Sequence, residues 1–77
     1  MIEVLFFAEL QESAGKEKIT VDADNITINE LKAIHLRSYQ LENIDQAMTA
    51  INEEYADENS VVKSGDIVAF IPPVSGG

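Results

Sequence analysis

Cysteine is absent from the 77-residue sequence, and histidine occurs once, at His35. Without cysteine the chain can form no disulfide bond and can offer no thiolate to a metal ion. No apolar run approaches the roughly 18–20 residues that a membrane-spanning helix needs. The opening residues, Met1 to Val4, lack the basic and long apolar segments of a secretory signal. We therefore expect a cytoplasmic protein that has no metal site and no membrane segment.

The sequence also lacks the patterns that carry most enzyme chemistry. Its four glycines form no phosphate-binding loop, and its acidic residues do not follow the calcium-loop pattern. The serines lack a convincing set of histidine and aspartate partners, and His35 is predicted to be a helix-surface residue. The body of the protein is therefore expected to bind no cofactor. Any activity must come from the chain terminus or from the active site of a partner.

Basic residues are few, since 5 Lys and Arg stand against 14 Asp and Glu and give a net charge of −9. Such a charge repels nucleic acid and anionic membranes and favours partners with basic surfaces. The acids are densest at Glu53, Glu54, Asp57 and Glu58. This stretch is either a solvated face, as most acidic runs are, or a surface that steers a basic partner.

Short apolar segments separated by turn signals predict one α+β domain over residues 1–77, with an extended tail over 72–77. One main helix is expected to cross a small mixed sheet. Segment 41–47 is either a short helix or a turn. The other predicted elements are a strand over 2–7, a helix over 8–14, a strand over 18–21, the main helix from 28, a strand over 48–51, a return at 55 and a strand over 67–71.

Two apolar strands supply the predicted core. Alternation in the first strand places Val4 and Phe6 on one face and Phe7 on the other. In the last strand, Val68 and Phe70 are expected to join the core, and the nearly continuous apolar sequence indicates a central position in the sheet.

The main helix begins with a capping box. Thr27 and Glu30 are spaced so that each side chain can bond to the backbone amide of the other. Ile28, Leu31 and Ile34 follow at helical spacing, with either Leu36 or Arg37 as a further member, and this apolar stripe is predicted to cover one face of the sheet.

The sequence stops at Pro72-Pro73-Val74-Ser75-Gly76-Gly77. The proline pair fixes two backbone φ angles and stiffens the stem, while glycines without side chains could enter a narrow passage. The end is therefore either a frayed terminus, as in most domains, or a thin tip whose last carboxylate reacts.

Both ends of the chain carry a family motif. The opening Val4-Leu5-Phe6-Phe7-Ala8 and the closing run from Gly65-Asp66 through Val68-Ala69-Phe70 to Pro72-Pro73-Val74-Ser75-Gly76-Gly77 closely resemble the small subunits of molybdopterin synthase. These are the sulfur-carrier proteins of molybdenum cofactor biosynthesis. The resemblance spans the chain in element order and is most specific at its two ends.

The resemblance implies a ubiquitin-like β-grasp fold and a function at the terminus. A partner activating enzyme would use ATP to adenylate the carboxylate of Gly77, and a sulfur donor protein would supply the sulfur of a thiocarboxylate. The tail, with contacts from Pro73, Val74, Ser75 and Gly76, would enter the large catalytic subunit and donate sulfur to cyclic pyranopterin monophosphate. The family assembly is a heterotetramer of two small and two large subunits, in which the small subunit is not catalytic on its own.

A carrier that inserts its tail needs an apolar anchor beside it, and Phe7, Tyr55 and Ile71 are predicted to form this partner interface. The sequence departs from the family at two points. Ile71 stands where the family often has a second aromatic residue, and Glu53-Glu54 occupies a turn that often contains glycine.

Three other functions are weighed against this one. A thiamine-pathway sulfur carrier would use the same terminal chemistry on a different acceptor, and the Phe6-Phe7 opening and Pro-Pro-Val stem disfavour it. A ubiquitin-like modifier or binding module is less favoured because the chain has only 5 Lys and Arg. A free-standing enzyme is poorly supported because the body lacks catalytic groups.

Overall fold

Short strands alternate with short helical segments along the chain. The computed structural model describes residues 1–39, 41 and 44–73. The main helix begins at Ile28 and continues as a π-helix over Leu31–His35, and 3-10 helices follow at Arg37–Tyr39 and Ile44–Gln46. The elements are β1 (Ile2–Phe6), α1 (Glu9–Ala14), β2 (Lys18–Val21), β3 (Ile26–Thr27), α2 (Ile28–Glu30), β4 (Met48–Ile51), β5 (Glu54–Ala56), β6 (Val61–Val62) and β7 (Ile67–Ile71).

Five strands form one mixed sheet in the order β2-β1-β7-β4-β5, and β3 pairs with β6 in a separate two-stranded sheet. The first and last strands are parallel neighbours, with Val4 opposite Val68 and Phe6 opposite Phe70. The pairs β1–β2, β4–β5 and β4–β7 are antiparallel. The central position predicted for the last strand is therefore confirmed.

The core lies between the inner face of this sheet and the main helix. Val4, Val68 and Phe70 are fully buried and Phe6 is 2% exposed, as the alternation predicts. The rings of Phe6 and Phe70 stack with their centroids 6.4 Å apart. Burial of one such apolar side chain contributes about 1.5–3 kcal/mol. The four buried side chains of β1 and β7 therefore supply a large part of the stability of a small domain.

The predicted capping box is present at the start of α2. The Thr27 backbone N–H donates to Glu30 Oε1 at 2.9 Å, and the Glu30 backbone N–H donates to Thr27 Oγ1 at 3.1 Å. The hydrogen bond from the Thr27 backbone, followed by that from its hydroxyl, lowers the pKa of the Glu30 carboxyl. Two backbone donors that helix geometry leaves unpaired are thus satisfied.

The prediction that Ile34 belongs to the buried stripe is wrong. The Leu36 backbone N–H donates to the Leu31 carbonyl at 3.1 Å, a bond across five residues that defines the π-helical turn. This wider turn brings Leu36 back to the core after Leu31, and the two side chains are 3% and 0% exposed. Ile34 falls on the solvent side and is 64% exposed, while His35 in the same segment is half-buried.

Segment 41–47, which is predicted to be either a short helix or a turn, contains the 3-10 helix Ile44–Gln46. Leu41 and Ile44 are buried there and extend the core beyond the main helix. Residues 40, 42 and 43 lie outside the part of the chain that the structure describes.

We expect Leu31→Ala to lower the free energy of unfolding by about 2–5 kcal/mol, because it leaves a cavity in the core. Ile34→Ala is the matched control on the same turn and should change it by less than about 0.5 kcal/mol. Urea denaturation of both variants measures the difference. Equal losses would contradict the assignment of the two side chains to opposite sides of the π-helical turn.

Candidate functional site

The outer face of the sheet carries a shallow apolar groove of about 590 Å³. It exists because side chains alternate along β1 and β7, so the residues between the buried ones all point to this face. They remain half-buried or exposed, in contrast to the buried inner face. The apolar lining consists mainly of Leu5, Phe7, Tyr55, Ile67, Ala69 and Ile71.

The three residues predicted to form the partner interface line this one groove. Phe7 is 44% exposed, Tyr55 is 76% exposed and Ile71 is half-buried. They reach the groove from three different strand regions, and Tyr55 is brought there by its pairing with Ala50 on β4. Their role in binding stays a prediction, but their common position fits an apolar anchor of the kind found at protein interfaces.

The tail begins at one end of this groove. The last backbone pair of β7 joins Ile71 to Met48, after which Pro72 is buried and Pro73 is exposed. Because proline has no backbone N–H, the ladder cannot be extended by these residues. The predicted tail contact at Pro73 is thus accessible. The predicted site at Gly77 and the tail contacts at Val74, Ser75 and Gly76 lie outside the described residues.

On the neighbouring strand the chain turns away directly after Phe7. Ala8 has φ 52° and ψ −128°, a region that residues with a Cβ atom rarely adopt. Its carbonyl accepts hydrogen bonds from the backbone N–H groups of Gln11 and Glu12, so the turn leads into α1. The sequence gives no signal for this conformation, because alanine is not a residue that favours positive φ.

A polar clamp closes the opposite end of the groove. The Asn52 side chain accepts from the Ile67 backbone N–H and donates to Asp66 Oδ1, both at 3.0 Å, while Asp66 Oδ2 accepts from the Lys63 backbone N–H at 2.9 Å. The Lys63 hydrogen bond, followed by that from Asn52, lowers the pKa of the Asp66 carboxyl. The β4–β5 turn is thereby fixed to the start of β7.

A lysine that the sequence did not single out lies beneath the last strand. Lys32 has a side chain only 8% exposed, and its Nζ lies 5.9 Å from the centroid of the Phe70 ring. The same ammonium is 3.6 Å from Glu58 Oε1 and 3.9 Å from Asp45 Oδ1. These contacts tie the main helix to the residue two positions before the tail.

The described residues provide no group of three His, Asp or Glu side chains that could hold a metal ion. Among the helices of this part of the chain, none is long and apolar enough to cross a membrane.

The parallel pair at the centre of the sheet, the single main helix and the open groove beside the tail define a ubiquitin-like β-grasp protein. The model of the ThiS family matches residues 4–77. The chain belongs to this family, so the predicted fold class and the resemblance to sulfur-carrier proteins are confirmed.

Similarity to individual proteins extends over almost the whole chain. The molybdopterin synthase sulfur carrier subunit of Drosophila sechellia is 42% identical and covers 99% of this chain and 90% of its own. The crystal structure of SAMP1 from Haloferax volcanii has a TM-score of 0.85 at 28% identity, with coverage of 99% and 98%. A complex of subunits 1 and 2 of molybdopterin-converting factor from Helicobacter pylori contains a chain with a TM-score of 0.72 at 29% identity, with coverage of 99% and 97%.

Acidification should weaken the Asp66 clamp. The pKa of Asp66 is lower in the folded protein than in the unfolded chain, so its stabilisation is complete above the unfolded pKa of about 3.9 and is lost as the pH falls through the folded value. On acidification, the melting temperature of Asp66→Asn should therefore fall by less than that of the wild type. Thermal melts across the acid range measure this.

Asp22→Asn is the control for that comparison, since the Asp22 carboxylate makes no hydrogen bond among the described residues. If the melting temperatures of Asp66→Asn and wild type fell by equal amounts, the clamp would make no contribution to the pH dependence of stability.

Proposed function

We propose that the protein is a sulfur-carrier subunit of molybdopterin synthase and that Gly77 carries the sulfur as a terminal thiocarboxylate. The observation that carries this proposal is the position of the open apolar groove, which ends where the chain leaves the sheet at Pro72. A docked partner would thus hold the body of the carrier while the tail enters its active site. Near full-length similarity to proteins with this name supports the same function.

The chemistry proposed for Gly77 follows from the poor reactivity of a carboxylate. Adenylation by a partner enzyme consumes ATP, releases pyrophosphate and gives the carbonyl carbon a good leaving group. Sulfur supplied at the sulfide level by a donor protein attacks this carbon, and AMP leaves with the electron pair of the broken C–O bond. The product is an anionic thiocarboxylate, which is nucleophilic through sulfur.

Docking makes this nucleophile effective. A tether fixed at the groove raises the local concentration of the thiocarboxylate at the acceptor, which we propose to be cyclic pyranopterin monophosphate. Gly76 and Gly77 would let the tail lie extended in a narrow channel, because a side chain on either residue would crowd the reacting carbon. The stiff Pro72-Pro73 stem would restrict the directions in which the tail can leave the body.

The proposed assembly contains two such carriers and two large catalytic subunits. The structure of subunits 1 and 2 of the Helicobacter pylori converting factor supports a complex between two kinds of subunit. In this assembly the carrier supplies the sulfur and the large subunit supplies the catalytic groups. The activating enzyme is a second partner and would bind the carrier before the large subunit does.

A second candidate function is that of a ubiquitin-like modifier joined to lysines of other proteins. The similarity to SAMP1 favours it, as does the similarity to a crystal structure of the small archaeal modifier protein 1 of H. volcanii, which has a TM-score of 0.81 at 25% identity. The family match is also compatible with a thiamine-pathway carrier, which would give its sulfur to a different acceptor. A modifier would form protein conjugates, whereas the two carriers differ in the small molecule that receives the sulfur.

Incubation with the activating enzyme, ATP and a sulfide source should raise the intact mass by about 16 Da, since sulfur replaces one oxygen. Deletion of Gly77 should leave the thermal melt unchanged and abolish the mass shift. Electrospray mass spectrometry of both proteins measures this. A mass shift that persists without Gly77 would contradict the terminal mechanism.

Phe7→Asp should weaken binding of the large subunit by about thirtyfold, the effect of losing an interface hot spot, because it places a charge in the apolar groove. Ile34→Asp is the matched control, since Ile34 is also an exposed apolar side chain but lies on the main helix. Titration calorimetry measures both affinities, and circular dichroism checks that both variants fold. Equal weakening by the two variants would exclude the groove as the docking surface.

A further inference from the structure

Glu53 is the acidic residue that lines the docking groove. It follows Asn52 in the β4–β5 turn, and both residues have positive φ, 50° at Asn52 and 71° at Glu53. Asparagine adopts this conformation readily, but glutamate does not, and glycine is the usual choice at the second position of such a hairpin turn. The chain therefore holds a charged side chain where backbone energetics favour no side chain at all.

The turn has little freedom to relieve this strain. The Asn52 backbone N–H donates to the Ile67 carbonyl at 2.8 Å, and the Asn52 side chain binds the Ile67 N–H and Asp66. Because these three bonds fix the turn to the central strand, the backbone of Glu53 is held at a defined place on the groove rim. Strained backbone of this kind is found preferentially at functional sites.

The carboxylate of Glu53 is available to a partner. Glu53 is exposed, and the ion pairs between described residues, which join Lys18 to Glu3 and Lys32 to Asp45 and Glu58, do not include it. The described lining of the groove contains no lysine or arginine. A partner that covers the groove would therefore meet the Glu53 carboxylate at its rim, beside the Asp66 carboxylate that the polar clamp already holds in hydrogen bonds, on a protein whose net charge is −9.

The position of Glu53 along the groove is informative. It lies at the Ile67 end of β7, whereas Phe7 and the root of the tail lie at the Ile71 end, about 13 Å away for a strand of this length. An apolar groove alone does not distinguish the two directions in which a partner can lie along it. A charge at one end does, because the reversed arrangement would cover the Glu53 carboxylate without a basic group to pair with it.

We propose that Glu53 is a specificity-determining residue that pairs with a lysine or arginine of the docked large subunit and so orients that subunit toward the tail. The inference rests on the proposed function above. It adds that the partner must present a basic side chain at the end of the groove away from the tail. It also gives a reason for the strained glutamate at this turn.

Glu53→Gln should weaken association with the large subunit by about two- to fivefold, and it should reduce the dependence of the association rate on salt. Glu54→Gln is the matched control. It changes the net charge equally on the adjacent residue, but Glu54 is not part of the groove lining. Its effect should be smaller on both quantities.

Glu53→Gly separates the effect of the Glu53 charge on binding from the effect of its backbone conformation on stability. Removal of the side chain relieves the strain at positive φ, so this variant should melt at a higher temperature than the wild type while it binds the large subunit more weakly. A purely structural role for Glu53 would make stability and binding change in the same direction.

Stopped-flow association and calorimetry with the large subunit, at several salt concentrations, test the inference. Equal affinities and salt dependences for Glu53→Gln and Glu54→Gln would overturn it and leave the proposed function intact. If wild-type protein failed to bind the large subunit, the proposed function would fall and this inference with it.

Discussion

The parallel pairing of β1 with β7 is the constraint on which the rest of the structure depends. Its register places Val4 beside Val68 and Phe6 beside Phe70, and these side chains form the centre of the core. Because strand side chains alternate, the same register places Leu5 and the other intervening residues on the outer face. A slip of one residue would exchange the two sets, so the core and the groove are specified together.

The pairing of β7 also ends where the proposed function requires the tail to leave the sheet. Pro72 and Pro73 cannot donate to a neighbouring strand, and the unusual backbone of Ala8 removes β1 as a further partner. The chain is therefore released from the sheet directly beside the groove. At the other end, the Asn52–Asp66 clamp holds the β4–β5 turn rigid. A partner bound in the groove would meet a stiff tail root at one end and a fixed charge at the other.

Alternation and turn signals were sufficient to predict the strands of the five-stranded sheet, the buried faces of β1 and β7, and the capping box, because these features depend on local sequence. The pair of β3 and β6 was not predicted, since two residues in each strand are too few to show a pattern. The exposure of Ile34 was not predictable, since its apolar spacing fits an ordinary helix and the π-helical turn arises from tertiary packing. The contact of Asn52 with Asp66 joins residues 14 positions apart, and the positive φ of Ala8 has no signal in the sequence because alanine does not favour it. The role proposed for Gly77 rests on the resemblance to a family, because two terminal glycines carry no chemistry that distinguishes a carrier from a frayed end.

The central claim is that sulfur passes from the terminus of this chain to a pterin precursor in a complex with the large subunit. A single-turnover reaction with thiocarboxylated protein carrying isotopically labelled sulfur, the large subunit and cyclic pyranopterin monophosphate tests it most directly. With no other sulfur source present, the account predicts that the label leaves the protein and appears in the pterin product. Label that stays on the protein, or label that is released as sulfide while the protein becomes joined to lysines of other proteins, would contradict the account.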